Sequence, residues 1–251
     1  MKYTLITGAS SGIGKALSYQ FAERGHNLII TARREEELNQ IKQDIEARYQ
    51  VQVLVNVCDL SQEWAAERLY NQLQHVELSV MINNAGFGDF SMPWELDLVK
   101  ANRMLDLNIK ALTTLSLLYV KDYANQDATL INVASVGGYA IFDIAVTYCA
   151  TKFYVAAFTE GLAQTLRDQG KSLRAKVIAP GPTHSEFVTQ SSDKGAIAGD
   201  GLFAEDAFIT AEQLASYTYQ LFESEQAVGI VNENRQLVLQ SPVYPYINVP
   251  H

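Results

Sequence analysis

Three side chains with acid–base chemistry lie close together in the second half of the sequence: Ser135, Tyr148 and Lys152. A tyrosine and a lysine four positions apart share one face of a helix. A free tyrosine has a pKa of about 10 and is a poor acid or base at neutral pH. An ammonium group about 4 Å away, at an effective dielectric near 20, favours the phenolate by about 4 kcal/mol and lowers the pKa by roughly three. The spacing therefore predicts that Tyr148 is a general acid–base whose pKa is brought toward neutrality by Lys152. The alternative is that Tyr148 packs on a sheet while Lys152 extends to water.

A glycine-rich segment near the start of the sequence could hold a phosphate group. Residues 7–14 read Thr-Gly-Ala-Ser-Ser-Gly-Ile-Gly and join a predicted strand to a predicted helix. Glycines permit a close approach of the backbone, and a helix N-terminus offers free N–H groups and a partial positive charge. The spacing G-x-x-x-G-x-G differs from the general dinucleotide fingerprint G-x-G-x-x-G. A tight turn without a ligand is the alternative, but the position at the first strand–helix junction favours phosphate binding.

The end of the second predicted strand carries two arginines, Arg33 and Arg34, directly after Ala32. At this position an acidic residue binds the ribose 2′-hydroxyl of NAD, whereas an arginine accommodates the 2′-phosphate of NADP. A guanidinium group matches a phosphate in charge and geometry. The alternative is that Arg33 and Arg34 are simply solvated and bind no phosphate. The pattern favours NADP(H) over NAD(H).

The elements that position these residues alternate between strands and helices along the whole chain. Several apolar runs are nearly continuous, which is typical of strands buried on both faces of a parallel sheet. The predicted strands are residues 3–7, 27–32, 51–57, 78–83, 128–133, 173–179 and 236–239. Long helices are expected at 101–123 and 148–169. The alternation predicts an α/β fold with a doubly wound parallel sheet, helices on both faces, and residues 1–251 as a single domain.

Composition argues against several classes of partner. The 251 residues carry a formal net charge of −9, which disfavours nucleic acid and anionic membrane surfaces. No apolar run approaches the length of a membrane span, and the first residues do not resemble a signal peptide. The two cysteines, Cys58 and Cys149, have no metal-ligand spacing. We expect a cytoplasmic protein with reduced cysteines and no metal site.

The order and spacing of six motifs resemble those of the short-chain dehydrogenase/reductase family, in its single-domain subgroup of about 250 residues. The resemblance covers nearly the whole chain, and Ala32-Arg33 resembles the family's NADP-preferring form. The motifs are residues 7–14, Asn83-Asn84-Ala85-Gly86, Asn108, Ser135, Tyr148-x-x-x-Lys152 and Pro180-Gly181. The resemblance implies a Rossmann fold and an NADP(H)-dependent enzyme acting on a small carbonyl or alcohol substrate.

The resemblance also implies a role for each motif. The catalytic residues would be Asn108, Ser135, Tyr148 and Lys152, with Ser135 on the substrate oxygen and Asn108 holding a water that relays protons to Lys152. The cofactor-binding residues would be Gly8, Ser10, Ser11, Gly12, Ile13, Gly14, Arg33, Arg34, Asp59, Leu60, Asn84, Ala85, Gly86, Tyr148, Lys152, Pro180, Gly181 and Thr183.

The substrate is expected to lie between the segments that follow Ser135 and Pro180-Gly181. The predicted lining is apolar and aromatic and comprises Phe87, Val136, Gly137, Tyr139, Ile141, Phe142, Phe187 and Val188. The predicted lining contains no arginine or lysine that could bind an anionic group, so an uncharged carbonyl or alcohol substrate is expected. Residues 183–208 lack a clear period and are expected to form a substrate-binding loop or lid.

Two further expectations concern assembly and the alternative function. In the family, the helices at 101–123 and 148–169 pair with their copies, which implies a homodimer or homotetramer. A non-catalytic NADP(H)-binding sensor on the same fold is the alternative to an enzyme, since a fold alone does not fix a function. A sensor has no need of the complete catalytic set.

Overall fold

A computed structural model of the protein describes residues 1–184, 186 and 207–249. Their strands form one sheet in the order β3-β2-β1-β4-β5-β6-β7-β8, and every neighbouring pair is parallel except β7 with β8. The strands are β1 (Lys2–Thr7), β2 (Asn27–Ala32), β3 (Val53–Val57), β4 (Glu77–Asn83), β5 (Thr129–Val133), β6 (Arg174–Ala179), β7 (Val228–Val231) and β8 (Leu237–Gln240).

Helices cover both faces of this sheet. They are α1 (Gly12–Ala22), α2 (Glu35–Arg48), α3 (Ala65–Gln72), α4 (Leu98–Leu105), α5 (Leu112–Tyr123), α6 (Val146–Asp168) and α7 (Ala211–Glu223). A π-helical segment, Asp106–Ala111, joins α4 to α5, and short 3₁₀ turns lie at Val136–Gly138 and Asp143–Ala145. Among the described residues, no helix combines the length and the apolar character that crossing a bilayer requires.

Neighbouring strand residues face opposite layers, as the nearly continuous apolar runs predict. Ile6 belongs to the core under α1, α2 and α7, whereas Leu5 belongs to the core under α3, α5 and α6. Both side chains are fully buried. The doubly wound α/β fold with helices on both faces is therefore confirmed. On the two long helices α5 and α6, Leu112 and Leu115 are buried within the chain, whereas Ala157 is exposed.

One strand was not predicted from the sequence, and it is β7. It has only four residues, and Gly229 interrupts its apolar run. A Cβ at Gly229 would lie 3.1 Å from Ile178 Cδ1 and 3.2 Å from Leu237 Cδ1, so the glycine permits close packing of the neighbouring chains. The third strand also begins later than predicted, at Val53.

The order of the strands reverses between β1 and β4, because β2 and β3 lie on one side of β1 while β4 to β8 lie on the other. In open parallel sheets, ligands bind in the crevice at the carboxyl ends of the strands where the order reverses. The glycine turn after β1, the Asn84-Ala85-Gly86 segment after β4 and Ser135 after β5 all lie at this edge.

Candidate active site

The turn after β1 packs so closely on the segment after β4 that two of its glycines have no room for a side chain. Gly8 has φ +68°, and a Cβ there would lie 2.9 Å from Ala85 Cα. A Cβ at Gly14 would lie 2.2 Å from the Gly8 carbonyl oxygen and 2.6 Å from Asn84 Nδ2. The Asn84 amide donates to the Thr7 carbonyl oxygen at 2.9 Å, and Thr7 Oγ1 accepts the N–H groups of Asn84 and Ala85, each at 2.9 Å. These contacts fix the turn as a rigid cradle.

The N-terminus of α1 opens into a cleft above this cradle. The Ser11 side chain does not cap the helix, so it leaves the first N–H groups without a side-chain acceptor from this residue. Gly8, Ser11, Gly12, Ile13 and Gly14 line the cleft. Free N–H groups, a positive helix end and backbone without side chains suit a pyrophosphate. The cradle therefore fits a dinucleotide.

A second part of the cleft extends along the ends of β2 and β3. The lining residues include Ser10, Ala32, Arg33, Arg34, Asp59, Leu60, Ala85 and Gly86. Arg33 is exposed. Arg34 is bound on two sides: its Nε donates to Ser10 Oγ at 3.2 Å, and its Nη2 lies 3.0 Å from Glu186 Oε2. A carboxylate thus lies against one of the two arginines predicted to bind the 2′-phosphate.

Ser135, Tyr148 and Lys152 meet where β5 ends against α6. The Ser135 hydroxyl lies close enough to the Tyr148 phenol to act on its pKa. Ser135 Oγ also accepts the Gly137 N–H at 3.0 Å. Lys152 Nζ donates to the Val133 carbonyl oxygen at 2.9 Å and lies 5.7 Å from the centre of the Tyr148 ring. All three side chains of this group are buried, and the structure brings them together as their spacing predicts.

The pKa values of these groups differ from the sequence-based expectation. Burial raises the pKa of Tyr148 well above its usual value, although the Ser135 hydroxyl acts in the opposite direction. Burial also lowers the pKa of Lys152 to about 8. The expectation that Lys152 brings the pKa of Tyr148 toward neutrality is wrong for the protein chain by itself. The argument from spacing counted the attraction between the charges and left out the cost of removing both from water.

Asn108 lies in the π-helical segment and is fully engaged by protein groups. Its Nδ2 donates to the Phe87 carbonyl oxygen at 2.9 Å and to Thr151 Oγ1 at 3.1 Å, while its Oδ1 accepts the Phe87 N–H at 3.1 Å. π-helical turns inside longer helices occur frequently at functional sites. Here the side chain holds the loop after β4 against α6. The relay water at Asn108 stays a prediction.

The predicted catalytic residues Ser135, Tyr148 and Lys152 share one cleft with three residues of the predicted substrate lining. Its described lining includes Ser135, Tyr148, Lys152, Phe87, Val136, Phe142, Pro180, Gly181 and Thr183. Phe187, Val188 and most of the predicted lid at 183–208 lie outside the described residues. Gly137, Tyr139 and Ile141 were predicted to line this cleft, but none of the three does so. Tyr139 donates its phenol proton to Glu160, and Ile141 is 68% exposed.

Phe90 and Glu186 are two of the cleft residues that were missed from the sequence. Phe90 packs edge-on against Tyr148, with ring centres 6.3 Å apart. One sequence feature could have indicated Phe90: it is an aromatic residue four positions after Gly86, in a segment without a helical or strand period. Glu186 reaches both Arg34 and the Ser11 hydroxyl. That contact spans about 150 positions of the chain, and no local pattern indicates it.

Comparison with known proteins places this geometry in a family. The family profile described as short chain dehydrogenase matches residues 2–196. Sulfoacetaldehyde reductase 2 from Chromohalobacter salexigens is 32% identical over 240 residues, which cover 94% of this chain and 92% of that protein. A short-chain dehydrogenase from Sphingobium yanoikuyae, solved in complex with NADPH, superposes with a TM-score of 0.80 at 26% identity, covering 92% and 87% of the two chains.

A third similar protein is a short-chain dehydrogenase/reductase from Burkholderia phymatum, solved in complex with NAD. Its TM-score is 0.79 at 19% identity, with 91% of this chain and 88% of that chain covered, so it speaks for the fold alone. The profile match spans well over half of the chain and confirms the resemblance seen in the motifs. The chain belongs to the short-chain dehydrogenase family of oxidoreductases.

Proposed function

We propose that this protein is an NADP(H)-dependent oxidoreductase that interconverts a carbonyl and a secondary alcohol, with Tyr148 as its general acid–base. The observation that carries the proposal is the placement of Ser135 and Tyr148 beside Lys152, all three buried and lining the cleft that the glycine cradle also lines. A protein that only bound the nucleotide could use Lys152, but it would gain nothing from burying Ser135 and Tyr148 beside it.

The proposed mechanism assigns one step to each group. The nicotinamide nucleotide, when bound, supplies or accepts the hydride. Ser135 and Tyr148 hydrogen-bond the substrate oxygen, and the Tyr148 hydroxyl gives its proton to that oxygen during reduction. Because burial raises the pKa of Tyr148, the phenol keeps its proton at neutral pH and can donate it in the reductive half of the reaction. Lys152 is the residue that would bind the nicotinamide ribose, and Pro180, Gly181 and Thr183 would line the ring.

Substitution of Tyr148 by phenylalanine tests this assignment. Tyr148→Phe removes the proton donor with little change of volume, so turnover should be lost while NADPH binding stays close to that of the wild type. Lys152→Ala should weaken both. Near-normal turnover in Tyr148→Phe would refute the role of Tyr148. If the wild type binds NADPH but reduces none of a panel of aldehydes, ketones and β-keto esters, the sensor is the better description.

The preference for NADP(H) is supported by the end of β2. Ala32 leaves no carboxylate beside the ribose, and Arg33 is exposed in the same part of the cleft. The substitutions Ala32→Asp and Arg33→Ala together should shift the preference toward NADH. Equal affinity of the native protein for NADPH and NADH would contradict the proposal.

The proposed substrate is uncharged and moderately hydrophobic. Phe87, Phe90, Val136 and Phe142 line the cleft together with Tyr148, and the three phenylalanines pack in one cluster with it. Among the described lining residues, the charged side chains are Lys152, which the mechanism uses, and Glu186, which would repel an anion. A relative at 32% identity is named for sulfoacetaldehyde, a sulfonate. Comparing kcat/KM for sulfoacetaldehyde with that for neutral aldehydes of similar size decides the point, and a strong preference for the sulfonate would overturn it.

A further inference from the structure

A buried carboxylate outside the cleft connects residues 243 and 244 with the turn that follows Ser135. Glu160 lies on α6, the helix that carries Tyr148 and Lys152, and its side chain is 1% exposed. One carboxylate oxygen accepts the N–H groups of Val243 at 2.5 Å and Tyr244 at 3.0 Å. The other accepts the Tyr139 hydroxyl at 2.6 Å. No cation forms an ion pair with Glu160 among the described residues.

Tyr244 also contacts the turn at residues 135–139 directly. The Tyr244 hydroxyl donates to the Gly138 carbonyl oxygen at 2.5 Å. Its ring stacks on that of Tyr139, with centres 5.7 Å apart and planes inclined by 18°. We call Tyr139, Glu160, Val243 and Tyr244 the Glu160 cluster. Through it, one segment near the end of the chain is bound to both α6 and the turn at residues 135–139.

This turn determines where the Ser135 hydroxyl lies. The Gly138 N–H donates to the Ser135 carbonyl oxygen at 2.8 Å, and the Gly137 N–H donates to Ser135 Oγ at 3.0 Å. On its inner side, Gly138 rests directly on α6: a Cβ there would lie 2.6 Å from the Lys152 carbonyl oxygen. On its other side, the Tyr244 hydroxyl holds the Gly138 carbonyl. Gly138 is therefore fixed from two directions, only three residues from Ser135.

Stability alone does not account for a carboxylate in this place. Burying a charge without a cation is costly, and apolar residues of similar volume commonly replace buried ionic groups without loss of stability. A carboxylate, however, can accept three hydrogen bonds from fixed directions at once. That property serves to hold three chain segments in one geometry.

We propose that the Glu160 cluster is a positioning device for Ser135, so that Glu160, Tyr139 and Tyr244 are positioning residues for the proton transfer. The inference rests on the proposed function, because it assigns the cluster to the serine that orients the substrate oxygen. None of the three residues lines the cofactor cleft among the described residues, so their loss affects the chemical step and leaves nucleotide binding intact.

The first experiment removes single hydroxyl groups. Tyr244→Phe loses the contact with the Gly138 carbonyl but keeps the ring stack. Tyr246→Phe is the matched control. Tyr246 is two residues from Tyr244, but its hydroxyl lies 3.2 Å from Thr165 Oγ1 on α6 instead of contacting the Gly138 carbonyl. A small misplacement of a catalytic group costs on the order of tenfold to a hundredfold in rate. We expect kcat to fall by roughly that factor in Tyr244→Phe, with the Kd for NADPH unchanged, and no change in Tyr246→Phe.

The second experiment changes the carboxylate. Glu160→Ala removes all three hydrogen bonds and should lower kcat at least as much as Tyr244→Phe. Glu160→Gln can turn its amide oxygen toward the two backbone N–H groups and donate from its amide nitrogen to the Tyr139 oxygen. It should therefore recover most of the kcat that Glu160→Ala loses. Recovery by glutamine separates the geometric role from a role of the negative charge.

A readout independent of turnover keeps the two proposals distinguishable. Hydrogen–deuterium exchange of the Gly137 and Gly138 amides should be faster in Tyr244→Phe than in Tyr246→Phe. If the wild type reduces no carbonyl, the proposed function fails while the exchange still reports whether the cluster holds the turn. The inference is overturned if folded Tyr244→Phe and Glu160→Ala keep the wild-type kcat, if NADPH affinity falls as much as kcat, or if exchange at the turn is the same in both tyrosine variants.

Discussion

Replacing Glu186 by glutamine should tighten the binding of NADPH, because this carboxylate occupies a basic group that the cofactor's 2′-phosphate needs. Its two oxygens face the Arg34 guanidinium side by side: Oε2 lies 3.0 Å from Nη2, and Oε1 lies 3.4 Å from Nη1. The Arg34 hydrogen bond lowers the pKa of Glu186. The carboxylate is therefore ionised at neutral pH, and an incoming phosphate has to displace it or share the arginine with it.

The size of the effect follows from the exposure of the pair. The Arg34 and Glu186 side chains are 37% and 48% exposed, so water and salt screen their attraction. Two unit charges 3.0 Å apart attract by about 1.4 kcal/mol in water, and exposed pairs in proteins typically yield about 0.2–1 kcal/mol. Releasing Arg34 from this pair should lower the Kd for NADPH by up to about fivefold. The gain for NADH should be smaller, because NADH lacks the 2′-phosphate.

Fluorescence titration at low ionic strength measures both constants directly. Glu37→Gln is the matched control, since Glu37 also faces Arg34 but at the longer distance of 3.8 Å. We expect Glu186→Gln to tighten NADPH more than Glu37→Gln does, and added salt to reduce the difference. Weaker NADPH binding in Glu186→Gln would show that Glu186 orders the site instead of competing for it, and the reasoning would be refuted.

Three further results are expected. Gly14→Ala should abolish nucleotide binding and lower the Tm, because its Cβ would lie 2.2 Å from the Gly8 carbonyl oxygen; nucleotide titration and thermal unfolding test this, and an intact affinity would contradict it. The free energy of unfolding should rise from pH 8 to 10, since burial lowers the pKa values of Lys152 and Lys176 from 10.5 to about 8 and the unfolded chain binds the extra protons; urea titrations of the wild type should show this slope, and Lys152→Met should reduce it while the part due to Lys176 remains. Light scattering at micromolar concentration should show a dimer or tetramer, and a monomer would count against pairing through α5 and α6.

The sequence was sufficient for those parts of the site that depend on local spacing. The turn at residues 7–14 lies between β1 and α1 as predicted, and Tyr148 and Lys152 share a face of α6 because a helix repeats nearly every four residues. Nearly continuous apolar runs predicted a sheet covered on both faces, and Leu5 and Ile6 face opposite cores.

The parts that were missed depend on contacts between distant segments. Tyr139 follows Ser135 closely and was expected to line the substrate site, but the 3₁₀ turn directs its hydroxyl to Glu160. Glu186 reaches Arg34 only through the folding of two widely separated segments. The period of apolar residues predicts on which face of a helix or strand a side chain lies. It does not predict which residue from a distant part of the chain will contact that side chain.

Burial is the main cause of the pKa shifts of both Tyr148 and Lys152, and these shifts support the separate roles proposed for the two groups. Burial stabilises the neutral form of each group, so the resting tyrosine is protonated and the lysine holds its proton only below about pH 8. In the proposed mechanism the phenol gives its proton to a substrate oxygen, and a negative charge would then develop on Tyr148 near the Lys152 ammonium, in surroundings where water screens it little. The attraction between Lys152 and Tyr148 is then present in the transition state and weak beforehand, and only such a difference accelerates a reaction. The same burial that works against a phenolate at rest makes the lysine more effective at the moment of proton transfer.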